Sequence, residues 1–289
     1  MPPLKKILLP VDFSDRCLGA ARYAYALASR YDAEILMLHV VEPIRYEFSA
    51  LEFGGTVLTE LAANRTAQAR RRLEDFLQQE LAGVRLRRLM LEGDAAQTIV
   101  ETARQEEVGL ITMPTHGYGR FRRFILGSVT AKVLHDAQCP VWTGVHLEET
   151  PAAASISLRT LMCALDLGPQ SAEPLAWAAG LARDFQARLI LIHAYPCIAM
   201  EPSRGERDLN AGLAEAARQK LERLREECGA PAELLVECGD PPKVVCGAAG
   251  QRNADLLVIG RGSAAGIFGR LRTNAYAIIR ESPCPVVSV

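Results

Sequence analysis

The sequence contains one domain-sized pattern twice. The stretch KKILLPVDFSDRCLGAARYAYALASRYDAEILMLHVVEP begins at Lys5, and RTLMCALDLGPQSAEPLAWAAGLARDFQARLILIHAYP begins at Arg159. Within these stretches Asp12 matches Asp166 at a spacing of 154 residues. A repeat of this length corresponds to a whole domain, not to the units of about 20–50 residues that build solenoids. The chain is therefore expected to fold as two similar domains.

The later parts of the two copies also align, with shorter spacings. Gly93 matches Gly239 at 146 residues, and the Cys-Pro-Val sequence at Cys139 matches that at Cys284 at 145 residues. The stretch HLEETPAAASIS between the copies is small, polar and proline-bearing, as linkers are. We therefore predict domains over residues 1–147 and 156–289, with the boundary at 148–155.

Each copy alternates apolar strand-like runs with helical patterns. Runs such as ILLPV, EILMLHVV and GLITM are nearly continuous in apolar residues, as expected of strands covered on both faces. In the first copy the predicted strands span residues 6–11, 34–41, 85–91, 108–113 and 141–145, and the predicted helices span 15–31, 56–81, 95–106 and 128–136. Helical crossovers between parallel strands are right-handed. The pattern predicts an α/β fold of two tandem doubly wound, Rossmann-like domains, each with a five-stranded parallel sheet.

Composition narrows the functional classes. The formal net charge is −1, which gives no general attraction to nucleic acid or to anionic membranes. Asp12 and Asp15 come too early for a signal peptide, and no apolar run reaches the length of a membrane span, so we expect a cytoplasmic protein without nucleic-acid or membrane partners. None of the eight cysteines forms a C-x-x-C pair. We expect them to be reduced, buried apolar residues, not disulfides or metal ligands.

A glycine-bearing loop follows the fourth predicted strand. It reads PTHGYGRFRRFILGSVTAKVL from Pro114 to Leu134, and Gly127-Ser128 opens the next predicted helix. The first N–H groups of a helix have no intrahelical partners, and the helix dipole makes that end positive. Such a helix start is suited to phosphate, although Gly127-Ser128 is also compatible with a tight helix start alone.

Three segments of the first copy converge on one sheet edge. They are Pro10-Val11-Asp12 after the first strand, His39-Val40-Val41 at the end of the second, and Met113 to Gly117 after the fourth. Doubly wound sheets bind ligands beyond the carboxyl ends of their strands. An aspartate there can accept hydrogen bonds from an adenine amino group or a ribose hydroxyl, whereas the competing interpretation of Asp12 is a helix cap. A core role is favoured for His39.

The spacing in this loop resembles the nucleotide-binding signature of the universal stress protein family. That signature is Gly, two residues, Gly, nine residues, Gly, then Ser or Thr. Gly117, Gly127 and Ser128 fit it, and Pro114 replaces the first glycine. The resemblance extends over nearly the whole chain, as two fused copies. It implies an adenine nucleotide alpha hydrolase-like domain that binds ATP, with or without Mg²⁺.

The resemblance also implies roles for individual residues. Asp12, beside Pro10 and Val11, would contact the nucleotide, and Val40 would line the adenine pocket. The phosphate and ribose contacts would come from Gly117, Gly127, Ser128, Val129 and Thr130. Met113 ends the strand before this loop. His116 lies in the loop, where phosphate contact and simple exposure are both open.

The second copy departs from the signature. Gly260 keeps the first glycine, but Arg272-Thr273 stands where Gly-Ser is expected, and Ala194 replaces Val40. We expect the second site to be weakened or empty. The alternative is that Arg272 pairs with a phosphate, as guanidinium groups do.

We expect a nucleotide-binding regulator or sensor of the stress response. The alternatives are a nucleotide-independent interaction module and a slow ATPase or autophosphorylating protein, with Ser128 or Thr130 as acceptor. No catalytic or P-loop motif is present in the sequence. The resemblance further implies pairing of the two domains through residues 139–145 and 284–289. Homodimer formation and the identity of a protein partner stay open.

Overall fold

The computed structural model describes residues 4–43, 55–115, 126–144, 156–197, 204–261 and 270–289. Predictions that fall elsewhere, including those for His116, Gly117 and the linker 148–155, lie outside the described residues. Within the described residues, no helix is both long and apolar enough to cross a membrane.

The first half contains five strands and four helices among the described residues. They are β1 (Lys6–Pro10), α1 (Cys17–Tyr31), β2 (Glu34–Val41), α2 (Gly55–Asp75), β3 (Arg85–Glu92), α3 (Ala95–Gln105), β4 (Leu110–Thr112), α4 (Ser128–Asp136) and β5 (Val141–Thr143). The second half repeats this order. Its elements are β6 (Thr160–Ala164), α5 (Ala172–Phe185), β7 (Arg188–Tyr195), α6 (Arg204–Glu227), β8 (Ala232–Cys238), α7 (Pro241–Gln251), β9 (Leu256–Ile259), α8 (Arg270–Glu281) and β10 (Val286–Ser288).

The strands of both halves form one ten-stranded sheet. Their order is β3-β2-β1-β4-β5-β10-β9-β6-β7-β8. All pairings within each half are parallel, and β5 and β10 pair antiparallel at the centre. The predicted α/β fold is therefore confirmed, and the expected pairing of the last strands is present within the chain. The strand order of the first half reverses between β1 and β4, which is the switch point where such sheets bind ligands.

The sheet separates two hydrophobic layers. Ile7, Leu9 and Met37 point to the layer that contains α1, whereas Leu8 and Leu36 point to the layer that contains α3 and α4. All five are fully buried. This alternation explains the continuous apolar runs, because a strand with helices on both sides has no solvent-facing positions.

One helix is shorter than the sequence predicted. α2 ends at Asp75, whereas the helical pattern was predicted to continue to Leu81. Leu77 adopts a positive φ of 53°, which a continuing helix cannot contain. Leu73 lies within α2 and Leu81 lies beyond its last residue, yet both are buried in the core. The apolar spacing therefore continues although the helix does not.

Candidate functional site

A cavity of about 320 Å³ opens at the carboxyl edge of the first half. The ends of β1, β2 and β4 and the first turns of α3 and α4 surround it. The sequence-predicted site residues in its wall are Pro10, Val11, Asp12, Val40, Met113, Pro114, Val129 and Thr130. We call this space the first cavity. It brings together residues that are separated by more than a hundred positions in the sequence.

Asp12 organises the turn that follows β1. Its Oδ1 atom accepts hydrogen bonds from the Ser14 amide at 3.0 Å and the Ser14 hydroxyl at 2.6 Å. The Cys17 thiol donates to the same oxygen at 3.1 Å. Burial, and then the Asp12 carboxylate, raise the pKa of Cys17 to about 12, so this thiol stays protonated at neutral pH. Asp12 therefore shapes the turn that leads to α1 and also lines the first cavity, but α1 has no side-chain cap at its N-terminus, so Asp12 does not cap this helix.

Phe13 makes a sharp turn directly after Asp12. Its φ is +64°, in the left-handed region that non-glycine residues rarely occupy. Its ring packs 4.2 Å from the His39 ring and 5.2 Å from the Phe76 ring, and the Arg72 guanidinium lies 4.6 Å from its centroid. These contacts hold an unfavourable backbone conformation in place. Leu167 repeats it in the second half with a φ of +60°.

His39 lies in the wall of the first cavity with one ring nitrogen committed. Its Nδ1 is 2.9 Å from the carbonyl oxygen of Val11. Because a carbonyl can only accept, Nδ1 carries the proton, and a neutral ring then leaves Nε2 as an acceptor. The favoured structural role of His39 is thus met by this bond, which ties β2 to the turn after β1.

The start of α4 is fixed by backbone contacts to the end of β4. The Gly127 amide donates to the Thr115 carbonyl at 2.8 Å, and the Thr130 hydroxyl donates to the Pro114 carbonyl at 3.1 Å. Pro114 lacks an N–H, but its carbonyl anchors the helix. The Thr130 hydroxyl is buried and engaged in this bond, so it is poorly placed to be phosphorylated, whereas Ser128 is exposed.

No described side chain caps the N-terminus of α4. The first-turn amides of Ser128 and Val129 precede the first helical hydrogen bond, which runs from Ala131 to Gly127 at 2.8 Å. Val129 and Thr130 line the first cavity, so the positive end of α4 is adjacent to it.

Sequence reasoning missed the contributions of α2 and α3. Arg65 and Ala69 of α2 and Ile99 of α3 also line the first cavity. Arg65 is exposed and supplies a cation at the cavity wall. The sequence motifs lie at strand ends, in the loop after β4 and at the start of α4, and which face of α2 turns inward depends on packing that the sequence does not state.

A second cavity of about 230 Å³ lies at the equivalent edge of the second half. Asp166 occupies the position of Asp12, and its Oδ1 accepts from the Gly168 amide and the Ser171 hydroxyl, each at 2.9 Å. Ala194, Glu173 and Asn274 also line this second cavity. The turn after the first strand is therefore kept, whereas the rest of the wall has changed.

One prediction about the cysteines is wrong. Cys197 and Cys238 form a disulfide, with Cα atoms 5.2 Å apart. They follow or end the neighbouring strands β7 and β8, so chain topology brings together two residues separated by 41 positions. The other six cysteines are free, and Cys17, Cys163 and Cys284 are buried. Across the residues that the structure describes, no group of three or more metal-binding side chains is present.

Comparison with known proteins assigns the family. The model of the universal stress protein family matches residues 3–143 and again 157–289, so the chain belongs to the universal stress protein family. A universal stress protein of Methanocaldococcus jannaschii, MJ0531, is 34% identical over 137 residues, which are 47% of this chain and 79% of that protein. A universal stress protein of Mycolicibacterium smegmatis is 26% identical over 98% of this chain and 96% of its own length.

A solved structure supports the fold. The crystal structure of a universal stress protein from Archaeoglobus fulgidus superimposes with a TM-score of 0.65 at 21% identity, over 98% of this chain and 95% of that one. At this level of identity, the likeness concerns the arrangement of strands and helices.

Proposed function

We propose that the first half binds ATP or a related adenine nucleotide in the first cavity, and that the bound state regulates association with partner proteins in a stress response. The observation that carries this proposal is the convergence of three strand ends and the start of α4 on one cavity. Its volume of about 320 Å³ falls in the range of small-molecule sites, about 300–1,000 Å³.

The wall of the first cavity offers different chemistry to the parts of a nucleotide. Val40 and Met113 supply apolar surface for a base, and Asp12 supplies an acceptor for an amino or hydroxyl group. The amides at the start of α4 and the Arg65 guanidinium supply positive groups for phosphates. Proteins use these same groups when they bind nucleotides in doubly wound sheets.

The second half is proposed to bind nucleotide weakly or not at all. Its cavity is smaller, about 230 Å³ against about 320 Å³, and Ala194 there replaces the larger Val40 side chain of the first cavity. Ala275 stands at the position of Thr130, so the hydroxyl that anchors α4 is absent from the equivalent helix.

A matched pair of substitutions tests the proposal. In Asp12→Asn and Asp166→Asn, an amide oxygen still accepts the local hydrogen bonds, so both should have similar small costs in stability. We expect Asp12→Asn to weaken ATP binding about tenfold, or about 1.4 kcal/mol, and Asp166→Asn to leave it unchanged. Calorimetric titration of both variants measures this. Equal changes in ATP affinity in the two variants would show that the carboxylates act only through the fold.

The bound molecule can be identified directly. Purified protein is denatured, and any released nucleotide is identified by mass spectrometry. Release of an adenine nucleotide supports the proposal. No release and no binding of ATP–Mg²⁺ at millimolar concentration would instead favour a nucleotide-independent interaction module.

A further inference from the structure

The junction between the halves follows an approximate two-fold axis. In the antiparallel pair of β5 and β10, Trp142 lies opposite Val287. These two residues are equivalent in the repeat, because they are 145 positions apart in a region where the copies align without gaps. An interface of this kind brings a position against its own equivalent at the axis. A pair formed from two identical halves would therefore place identical residues together.

The residues at the axis differ in size. Trp142 and Val287 are both completely buried, and the Trp142 ring packs 5.1 Å from the Tyr23 ring. Two first halves would bring two tryptophans to one place, and two second halves would bring two valines. The first arrangement is overpacked and the second leaves a void, and both reduce stability.

The helices on one face of the sheet repeat this pattern. The Tyr276 hydroxyl of α8 donates to the Ala131 carbonyl of α4 at 3.2 Å. Tyr276 and Ala131 are again equivalent, 145 positions apart. A large residue in the second half thus lies against a small one in the first.

The helices on the opposite face add charge. The Tyr31 hydroxyl donates to Asp184 Oδ2 at 2.8 Å, and Arg30 donates to the Asp184 carbonyl and lies 5.2 Å from the Phe185 centroid. Arg30 is equivalent to Asp184, and Tyr31 to Phe185, at the spacing of 154. Self-pairing would bring arginine to arginine or aspartate to aspartate, and like charges at an interface oppose association.

Arg261 of the second half donates hydrogen bonds to the first half. Its guanidinium donates to the Ala137 carbonyl and, at 2.8 Å, to the Cys139 carbonyl of the first half. The equivalent carbonyl in the second half, that of Cys284, accepts from its own neighbour Ser282 at 2.8 Å. Ala137 is equivalent to Ser282 and has no hydroxyl. The Cys139 carbonyl therefore accepts its hydrogen bond from Arg261 of the other half, whereas the Cys284 carbonyl accepts from Ser282 of its own half.

We propose that the two halves have complementary surfaces, so that each half selects the other and excludes a second copy of itself. Size differs in the complementary sense at the pairs Trp142–Val287 and Ala131–Tyr276, and charge does so at the pair Arg30–Asp184. Specific interfaces combine favourable contacts with such penalties against the wrong partner.

Cleavage of the folded full chain tests this selection. A protease site is introduced within residues 148–155, the purified chain is cut after folding, and the product is diluted, reconcentrated and measured by native mass spectrometry. We expect pairs of one first half and one second half. Pairs of identical halves, or separated halves, would overturn the proposal.

A substitution cycle in the uncut chain gives an independent test. Ala131→Tyr sets tyrosine against tyrosine, Tyr276→Ala sets alanine against alanine, and the double variant restores one of each. We expect each single substitution to lower the thermal unfolding midpoint and the double variant to lose clearly less than the sum. His135→Tyr, on the exposed side of α4, is the control and should have little effect. Additive losses would contradict the proposal.

Discussion

The first and second cavities occupy equivalent positions in the two halves and differ in the side chains that a ligand would meet. Val40 of the first becomes Ala194, Thr130 becomes Ala275, and a glutamate comes from a different position in each, Glu42 in the first and Glu173 in the second. By contrast, the turn after the first strand is nearly unchanged, with an aspartate followed by a left-handed residue in each. The fold requires that turn, whereas the cavity wall is free to change, so shared motifs report the fold more than the ligand.

The halves also differ at the two outer edges of the sheet. Each half has an ion cluster there, and the charges in one cluster are the reverse of those in the other. Arg87 lies between two carboxylates, 2.6 Å from Glu106 and 3.6 Å from Glu34. In the second half a carboxylate lies between two guanidinium groups. The equivalent pairs are Glu34 and Arg188, Arg87 and Glu233, and Glu106 and Arg252. The attraction is preserved although every sign has changed, which indicates that these edges are maintained for stability.

The largest expected effect comes from filling the cavities. Val40→Trp places an indole at the half-exposed end of β2, and we expect ATP affinity to fall by more than about a hundredfold. Ala194→Trp is the matched substitution in the second cavity and should leave binding unchanged. Calorimetry measures affinity, and thermal unfolding checks that both variants fold. Loss of binding in the Ala194→Trp variant would assign the ligand to the second half.

Reduction of the disulfide should affect the second half selectively. The Cys197–Cys238 bond closes a 41-residue separation that has no equivalent in the first half, where Pro43 and Glu92 occupy those positions. A bond of this span stabilises by roughly 2–4 kcal/mol. We expect a reductant to lower the unfolding midpoint and to leave ATP affinity unchanged. Cys197→Ser should reproduce the effect and abolish the response to reductant.

An arginine placed at the start of α4 tests the alternative that Arg272 of the second half pairs with a phosphate. Gly127→Arg gives the first half the residue that the second half carries at position 272. We expect at least about tenfold weaker ATP binding, because the side chain fills the space beside the α4 amides. Gly127→Ala is the control for loss of glycine. Tighter binding in the arginine variant would instead support Arg272 as a phosphate partner.

Removal of the Thr130 hydroxyl should cost about 1 kcal/mol of stability, since a valine at this position would leave the Pro114 carbonyl without its donor. Thr130→Val keeps the shape of the side chain. Ser128→Ala, on the exposed side of the same helix, is the control. Chemical denaturation measures both. An unchanged Thr130→Val variant would mean that the hydroxyl does not hold α4 to β4.

The smallest expected effect concerns the inverted ion clusters. Glu233→Gln leaves Arg188 and Arg252 facing each other, whereas Glu106→Gln leaves Arg87 beside Glu34 and leaves Lys6 its hydrogen bond to the backbone carbonyl of residue 106. The first should therefore cost more, up to about 1 kcal/mol, as is usual near the surface. Denaturation at neutral pH compares the two variants.

The same clusters predict a response to acid. Hydrogen bonds from Arg87 and Lys6 lower the pKa of Glu106, and those from Arg188 and Arg252 lower the pKa of Glu233. A carboxyl whose pKa is lowered on folding contributes its stability above the ordinary carboxyl pKa and loses it as pH falls through the folded value. Each glutamine variant should therefore lose less stability on acidification than the native chain. Parallel curves for variant and native chain would contradict this.

Local pattern predicted the fold better than it predicted the site. The alternation of apolar strands and helices was enough to place β2 at Glu34–Val41, and the strand ends in the first cavity followed from the rule for doubly wound sheets. Arg65 could not be found in this way, because the inward face of a helix is set by packing. The Cys197–Cys238 bond was missed because it depends on the order of β7 and β8 in the sheet.

The central claim is that one half of this duplicated chain binds nucleotide. The most direct test is calorimetric titration of ATP–Mg²⁺ into the nucleotide-free full chain, with the Val40→Trp and Ala194→Trp variants measured in parallel. The account predicts about one site per chain, present in the native and Ala194→Trp proteins and lost in Val40→Trp. Two equivalent sites, or no binding at millimolar nucleotide, would contradict it.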